Sequence, residues 1–161
     1  MSKKILLFIF CMILLPPISD FAESELLGEI SKEEILEHFP DWQEVVASYF
    51  PKPEVIEKLQ SIDSFIRIEV FLGTWCPDSK EHVSSYFKIL GMADNPNIIT
   101  NYMGIPRKKE SRQPYILEKN IEKVPTFIVY IDDQEIGRII EHPSKSIEED
   151  LINIVSNSVT Q

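Results

Sequence analysis

The stretch FIRIEVFLGTWCPDSKEHVSSYFKIL, residues 65–90, constrains the fold more than any other part of the chain. Its first eight residues, Phe65 to Leu72, are rich in β-branched and aromatic side chains and end at Gly73. That is the pattern of a buried, central strand. From Pro77 the periodicity changes. Val83, Tyr86, Phe87 and Leu90 recur at i, i+3, i+4 and i+7, one face of a helix, and Gly91 predicts where it stops. The rest of the chain has to be read around a strand that runs through a short turn into a helix.

Upstream, residues 29–60 read as helical with breaks. Ser31 followed by Glu34 is a capping box before ILEHF. Pro40 ends that segment, Asp41 caps a second one that stops at Pro51, and PEVIEKLQSI forms a third. Downstream, NIITNYM is a short strand and GIPRKKESRQP a basic loop carrying Arg107, Lys108, Lys109 and Arg112. YILEKNIEK is a short helix. PTFIVYID and GRIIEH are strands joined by a hairpin at DDQEIG, and SIEEDLINIVSNS is a final amphipathic helix. Elements that alternate and then close on a hairpin predict an α/β fold, a mixed sheet with helices on both faces.

The N-terminus has a different character. Lys3 and Lys4 precede the apolar run ILLFIFCMILL and the prolines Pro16 and Pro17. The run falls short of the ~20 apolar residues that span a bilayer. It matches a secretory signal peptide over residues 1–22, the alternative being an uncleaved anchor. Phe8, Ile9 and Phe10 before Cys11 lack the small residues of a lipidation site. The expected division is a signal peptide 1–22, an N-terminal helical extension 23–61 and a domain 62–161. The expected location is periplasmic or secreted. The net charge of −10 argues against nucleic acid and anionic membrane surfaces as partners. Of the two cysteines, only Cys76 remains in an exported chain, so no internal disulfide forms. A single thiol in such a protein is reactive, paired with another chain, or buried and inert.

Cys76-Pro77-Asp78-Ser79 favours the reactive case. Proline is at home in the first turn of a helix, which puts Cys76 at the helix start. Free backbone N–H groups and the helix dipole there favour a thiolate, the nucleophilic form. Ser79, one turn on, is placed to donate a hydrogen bond to that sulfur, whereas the Asp78 carboxylate opposes a second negative charge.

Together VFLGTWCPDS, VPTFIVY and GRIIEHP resemble the thioredoxin-like family, and more narrowly its exported members with a TWC-x-D-S/C motif. The resemblance spans about residues 62–157. It implies a thioredoxin-like fold and a cis Val124–Pro125 bond packed beside Cys76, in a loop that offers backbone hydrogen bonds to an extended substrate. It names Cys76 and Ser79 as the catalytic pair. Trp75, Pro77, Val124, Pro125 and Thr126 become the substrate-contact residues. Two positions depart from the family pattern. Ser79 stands where a resolving cysteine is common, and Val70 where a buried acid is common. Glu69 is adjacent to Val70, but a strand neighbour points to the opposite face.

With one thiol, Cys76 attacks a disulfide but Ser79 cannot resolve the product. Release by a substrate thiol gives isomerisation, and release by a low-molecular-weight thiol gives reduction of mixed disulfides. The partners implied are protein or small-molecule thiols and disulfides. The competing reading is a non-catalytic module that binds extended peptides. Peroxide chemistry at Cys76 fits poorly, because Thr74 is too close to the cysteine for a peroxiredoxin-type site. His38 and His142 have no ligand-spaced neighbours, and His82, more than a turn past Cys76 on a different helix face, is a poor general base. No phosphate loop, paired catalytic acids or Ser/His/Asp set is present, so no metal or cofactor is expected.

Overall fold

In the computed structural model, residues 25–108 and 114–159 are described. The signal-peptide reading therefore lies outside the described residues, as do Lys109 and Arg112 of the basic loop. The elements are β1 (Gly28–Ile30), α1 (Lys32–His38), α2 (Pro40–Ser48), α3 (Pro53–Gln60), β2 (Ile66–Leu72), α4 (Pro77–Ala93), β3 (Ile98–Gly104), α5 (Pro114–Glu118), β4 (Thr126–Ile131), β5 (Gln134–Ile140) and α6 (Ile147–Val159).

The strands form one mixed sheet in the order β1-β3-β2-β4-β5. β2 is the central strand, parallel to β3 and antiparallel to β4. Strand alternation divides its side chains. Ile66, Ile68, Val70 and Leu72 enter the larger core with Val83, Tyr86 and Phe87 of α4, Leu151 and Val155 of α6, and Ile35, Trp42 and Ile56 of the N-terminal helices. Phe71 faces the other way, into a smaller cluster with Cys76, Ile105, Ile116 of α5, Val124 and Ile128. Helices thus cover both faces, and the fold is thioredoxin-like.

Local chemistry sets most boundaries. Ser31 and Glu34 form the expected reciprocal cap on α1. Pro40 does not only end α1. It also opens α2 from the first helical position, with Phe39 rather than Asp41 as N-cap. Asp132 and Asp133, at φ 49° and 60°, make the tight β4–β5 turn, in the backbone region that primed hairpin turns require.

Two elements differ from the sequence reading. The segment expected to be helical begins with β1, an edge strand antiparallel to β3 that pairs Gly28 with Gly104. Three residues carry too little alternation to register as a strand. The helix after Cys76 also passes through Gly91 and ends at Asp94, which adopts a left-handed conformation at φ 44°. Gly91 is exposed and in open space. Packing of Ala93, Phe87 and Ile89 carries the helix past it.

Candidate functional site

The turn between β2 and α4 is held by short backbone and side-chain bonds. The Cys76 N–H donates to the Gly73 carbonyl at 2.9 Å, and the Lys80 N–H to the Cys76 carbonyl at 3.0 Å. Cys76 is the N-cap of α4 and Pro77 follows in the first turn, exposed. The first-turn N–H groups, which lack helical partners, therefore lie at the sulfur's end of a 17-residue helix.

The Val124–Pro125 bond is cis. Cys76 Sγ lies 3.5 Å from the Val124 carbonyl oxygen, so the two motifs separated by 48 residues meet at the sulfur. The cysteine is 8% exposed. It lies against apolar side chains on one side and lines a cleft of about 230 Å³ on the other, with Trp75, Asp78, Arg107, Glu122, Lys123, Val124 and Glu141.

The other expected site residues divide between the cleft and its scaffold. Trp75 is half-buried on the cleft wall. Its indole N–H donates to the Ile105 carbonyl at 3.0 Å, and the Arg107 guanidinium lies 5.0 Å from its ring centre. The ring also lies over Gly73, where a Cβ would come within 2.5 Å of it. Ser79 is fully buried, and its hydroxyl accepts the Gly73 N–H at 3.2 Å. No hydrogen bond joins it to Sγ. The bond that Ser79 does make holds the turn, with its oxygen as the acceptor. Thr126 is buried as well, and its hydroxyl donates to the Lys123 carbonyl at 2.8 Å, closing the loop around the cis bond. The Pro125 carbonyl accepts the Glu141 N–H at 2.7 Å.

Two groupings are invisible in the sequence spacing. Glu69, 8% exposed, is the buried acid of this sheet. As expected from alternation it points away from Val70, onto the face that also carries Phe71 and Cys76. Lys119 Nζ at 2.7 Å, the Tyr130 hydroxyl at 2.9 Å and Arg67 at 2.6 Å all donate to it. Burial pushes its carboxyl up, but these donors and charges outweigh that and hold it below the usual value. Lys119 is raised in turn: burial works against its charge, and Glu69 and Tyr130 overcome it. The second grouping lies next to Asp78 and Glu141 of the cleft wall. His82 of α4 and His142 after β5 approach to 3.3 Å between ring nitrogens. Burial lowers the His82 pKa, and His142 adds to this against Glu81 and Asp78.

Comparison with known proteins follows the same line. No curated protein matches the chain. A protein of unknown function from Pseudomonas aeruginosa shares its fold at 18% identity and a TM-score of 0.63, over 81% of this chain and 93% of that one. An HIV epitope-scaffold does so at 19% identity and a TM-score of 0.62, with the same coverage. The family model described as Thioredoxin matches residues 29–153. That span runs from β1 into α6 and includes the N-terminal helices, the Cys76 turn and the cis-proline loop, and by it the chain belongs to the thioredoxin family.

Proposed function

We propose that this chain catalyses thiol–disulfide exchange through Cys76 alone, as an isomerase or a reductase of mixed disulfides, in an exported setting. The observation that carries the reading is the approach of Sγ to the Val124 carbonyl beside the cis Val124–Pro125 bond, on the wall of an open cleft. A substrate strand laid along Val124 brings its disulfide to the sulfur, its backbone held by hydrogen bonds rather than by sequence-specific pockets.

The chemistry balances with one thiol. The Cys76 thiolate attacks one sulfur of a substrate disulfide, a new S–S bond forms, and the other sulfur leaves as thiolate and takes up a proton. A second thiolate, from the substrate or a low-molecular-weight thiol, then attacks the mixed disulfide and releases Cys76. No net oxidation of a dithiol occurs, because Ser79 provides no second sulfur. Trp75, stacked under Arg107 and tied to Ile105, walls the cleft beside the reacting atoms.

The test compares wild type with Cys76→Ser on a scrambled-disulfide protein and on a glutathione mixed disulfide, with reduced glutathione present. The expected outcome is exchange above background that Cys76→Ser abolishes. Equal rates for the two proteins, with retained binding of an extended peptide, would favour the non-catalytic binding module instead.

A further inference from the structure

His82 and His142 have no part in the exchange chemistry, yet the fold brings them together next to Asp78 and Glu141, which line the Cys76 cleft. Asp78 and His82 are separated by one turn of α4 and share a face. Glu141 and His142 follow β5, where Glu141 takes a left-handed backbone at φ 61°. That conformation is uncommon outside glycine. Here it is held by the Glu141 N–H bond to the Pro125 carbonyl, and it turns two consecutive ligand-type side chains toward α4. One ligand atom each from Asp78, Glu141 and His142 lie within 4.8 Å of one another. His82 lies outside that converging set, but its Nε2 stands 3.3 Å from His142 Nδ1 and is the ring partner of that histidine. A tetrahedral ion with bonds of roughly 2.0–2.1 Å to imidazole nitrogen separates its ligand atoms by about 3.3 Å. Asp78, Glu141 and His142 can close to that spacing by small side-chain rotations, with His82 against the His142 ring as its outer partner.

We propose that Asp78, Glu141 and His142, with His82 as the outer partner of His142, form a binding site for a divalent transition-metal ion of the zinc type beside the Cys76 cleft. An imidazole with carboxylates is a donor set that zinc and its neighbours accept, whereas magnesium and calcium favour all-oxygen sets. Glu141 also accepts from Lys123 Nζ at 2.5 Å. Lys123 is exposed and free to swing away, or to hold one carboxylate oxygen while the other binds the ion. The site is separate from the thiol: Cys76 Sγ is not among the converging ligand atoms. Because Asp78 and Glu141 also line the cleft, an ion there neutralises two of the carboxylates beside Cys76.

The test uses the untagged full chain lacking both thiols (Cys11→Ser with Cys76→Ser), titrated calorimetrically with zinc and spectroscopically with cobalt. One ion per chain is expected, with the visible absorption of four-coordinate cobalt. His142→Ala removes an exposed side chain and should leave the fold intact by circular dichroism. It should weaken binding by at least about tenfold, the loss attached even to outer-shell partners of a metal site, and His82→Ala should do the same. Absence of binding at millimolar metal overturns the proposal. So does binding that persists unweakened in both histidine variants, or binding seen only when Cys76 is present.

Discussion

At the scale of single residues, the face on which a side chain stands decides its role more than its distance from Cys76 in the sequence. Val70 occupies the position where an acid is common in the family, and it is core. Glu69, one residue earlier, is the charged group on the cysteine's side of the sheet, and its ammonium, guanidinium and phenol donors make it a stabilising element. Its folded pKa is depressed below the 4.5 usual for a glutamate. Its contribution is therefore present above that value and is lost as pH falls through the folded pKa. Glu69→Gln should destabilise the protein by about 2 kcal/mol at pH 7, the scale of hydrogen bonds to a charged group. The gap between variant and wild type should shrink in urea unfolding performed well below pH 4.5. A gap that is constant with pH would assign the effect to packing. Ser79 teaches the same lesson. One helical turn from the cysteine, it is placed correctly in sequence, and in the fold its oxygen accepts the Gly73 N–H.

At the scale of elements, caps and prolines write boundaries into the chain, and packing moves some of them. The Ser31–Glu34 box is local: three residues apart, it satisfies two backbone donors without help from the rest of the fold. Ser31→Ala should lower stability by about 1 kcal/mol, read as a shift of the thermal midpoint, with exchange at Cys76 unchanged. A loss of exchange would mean that α1 steers the site. The α4 terminus behaves differently. Gly91 is a legible stop signal, but burial of Ala93 keeps the helix going to Asp94. β1 is also decided from outside, since three residues become a strand only by pairing with β3.

For the whole molecule, the sheet is the frame that brings remote segments to the sulfur, and its edge is held by backbone fit. A Cβ on Gly104 would overlap the Leu26 carbonyl, and the Leu26 N–H donates to the Thr74 hydroxyl at 3.2 Å, just before Cys76. Gly104→Val should unpair β1. Amide hydrogen exchange should then rise sharply at Gly28–Ile30 and stay low in β2 and β4; unchanged protection in β1 would contradict this account. The Val124–Pro125 loop beside the cysteine was implied by the family resemblance alone, whereas the central strand, the cysteine at a helix start and the final hairpin were legible in the sequence itself. Each is set by periodicity or by the conformational limits of proline and glycine, and these act over a few residues. The sequence also carried Cys76 as a lone thiol, the free cysteine of the described residues. The approach of Sγ to Val124, the bond of Ser79 to Gly73, the Glu69 cluster and the meeting of His82 with His142 were decided by the tertiary structure. Those contacts join residues up to 61 positions apart, and no local pattern encodes which face of a sheet or helix will find which partner.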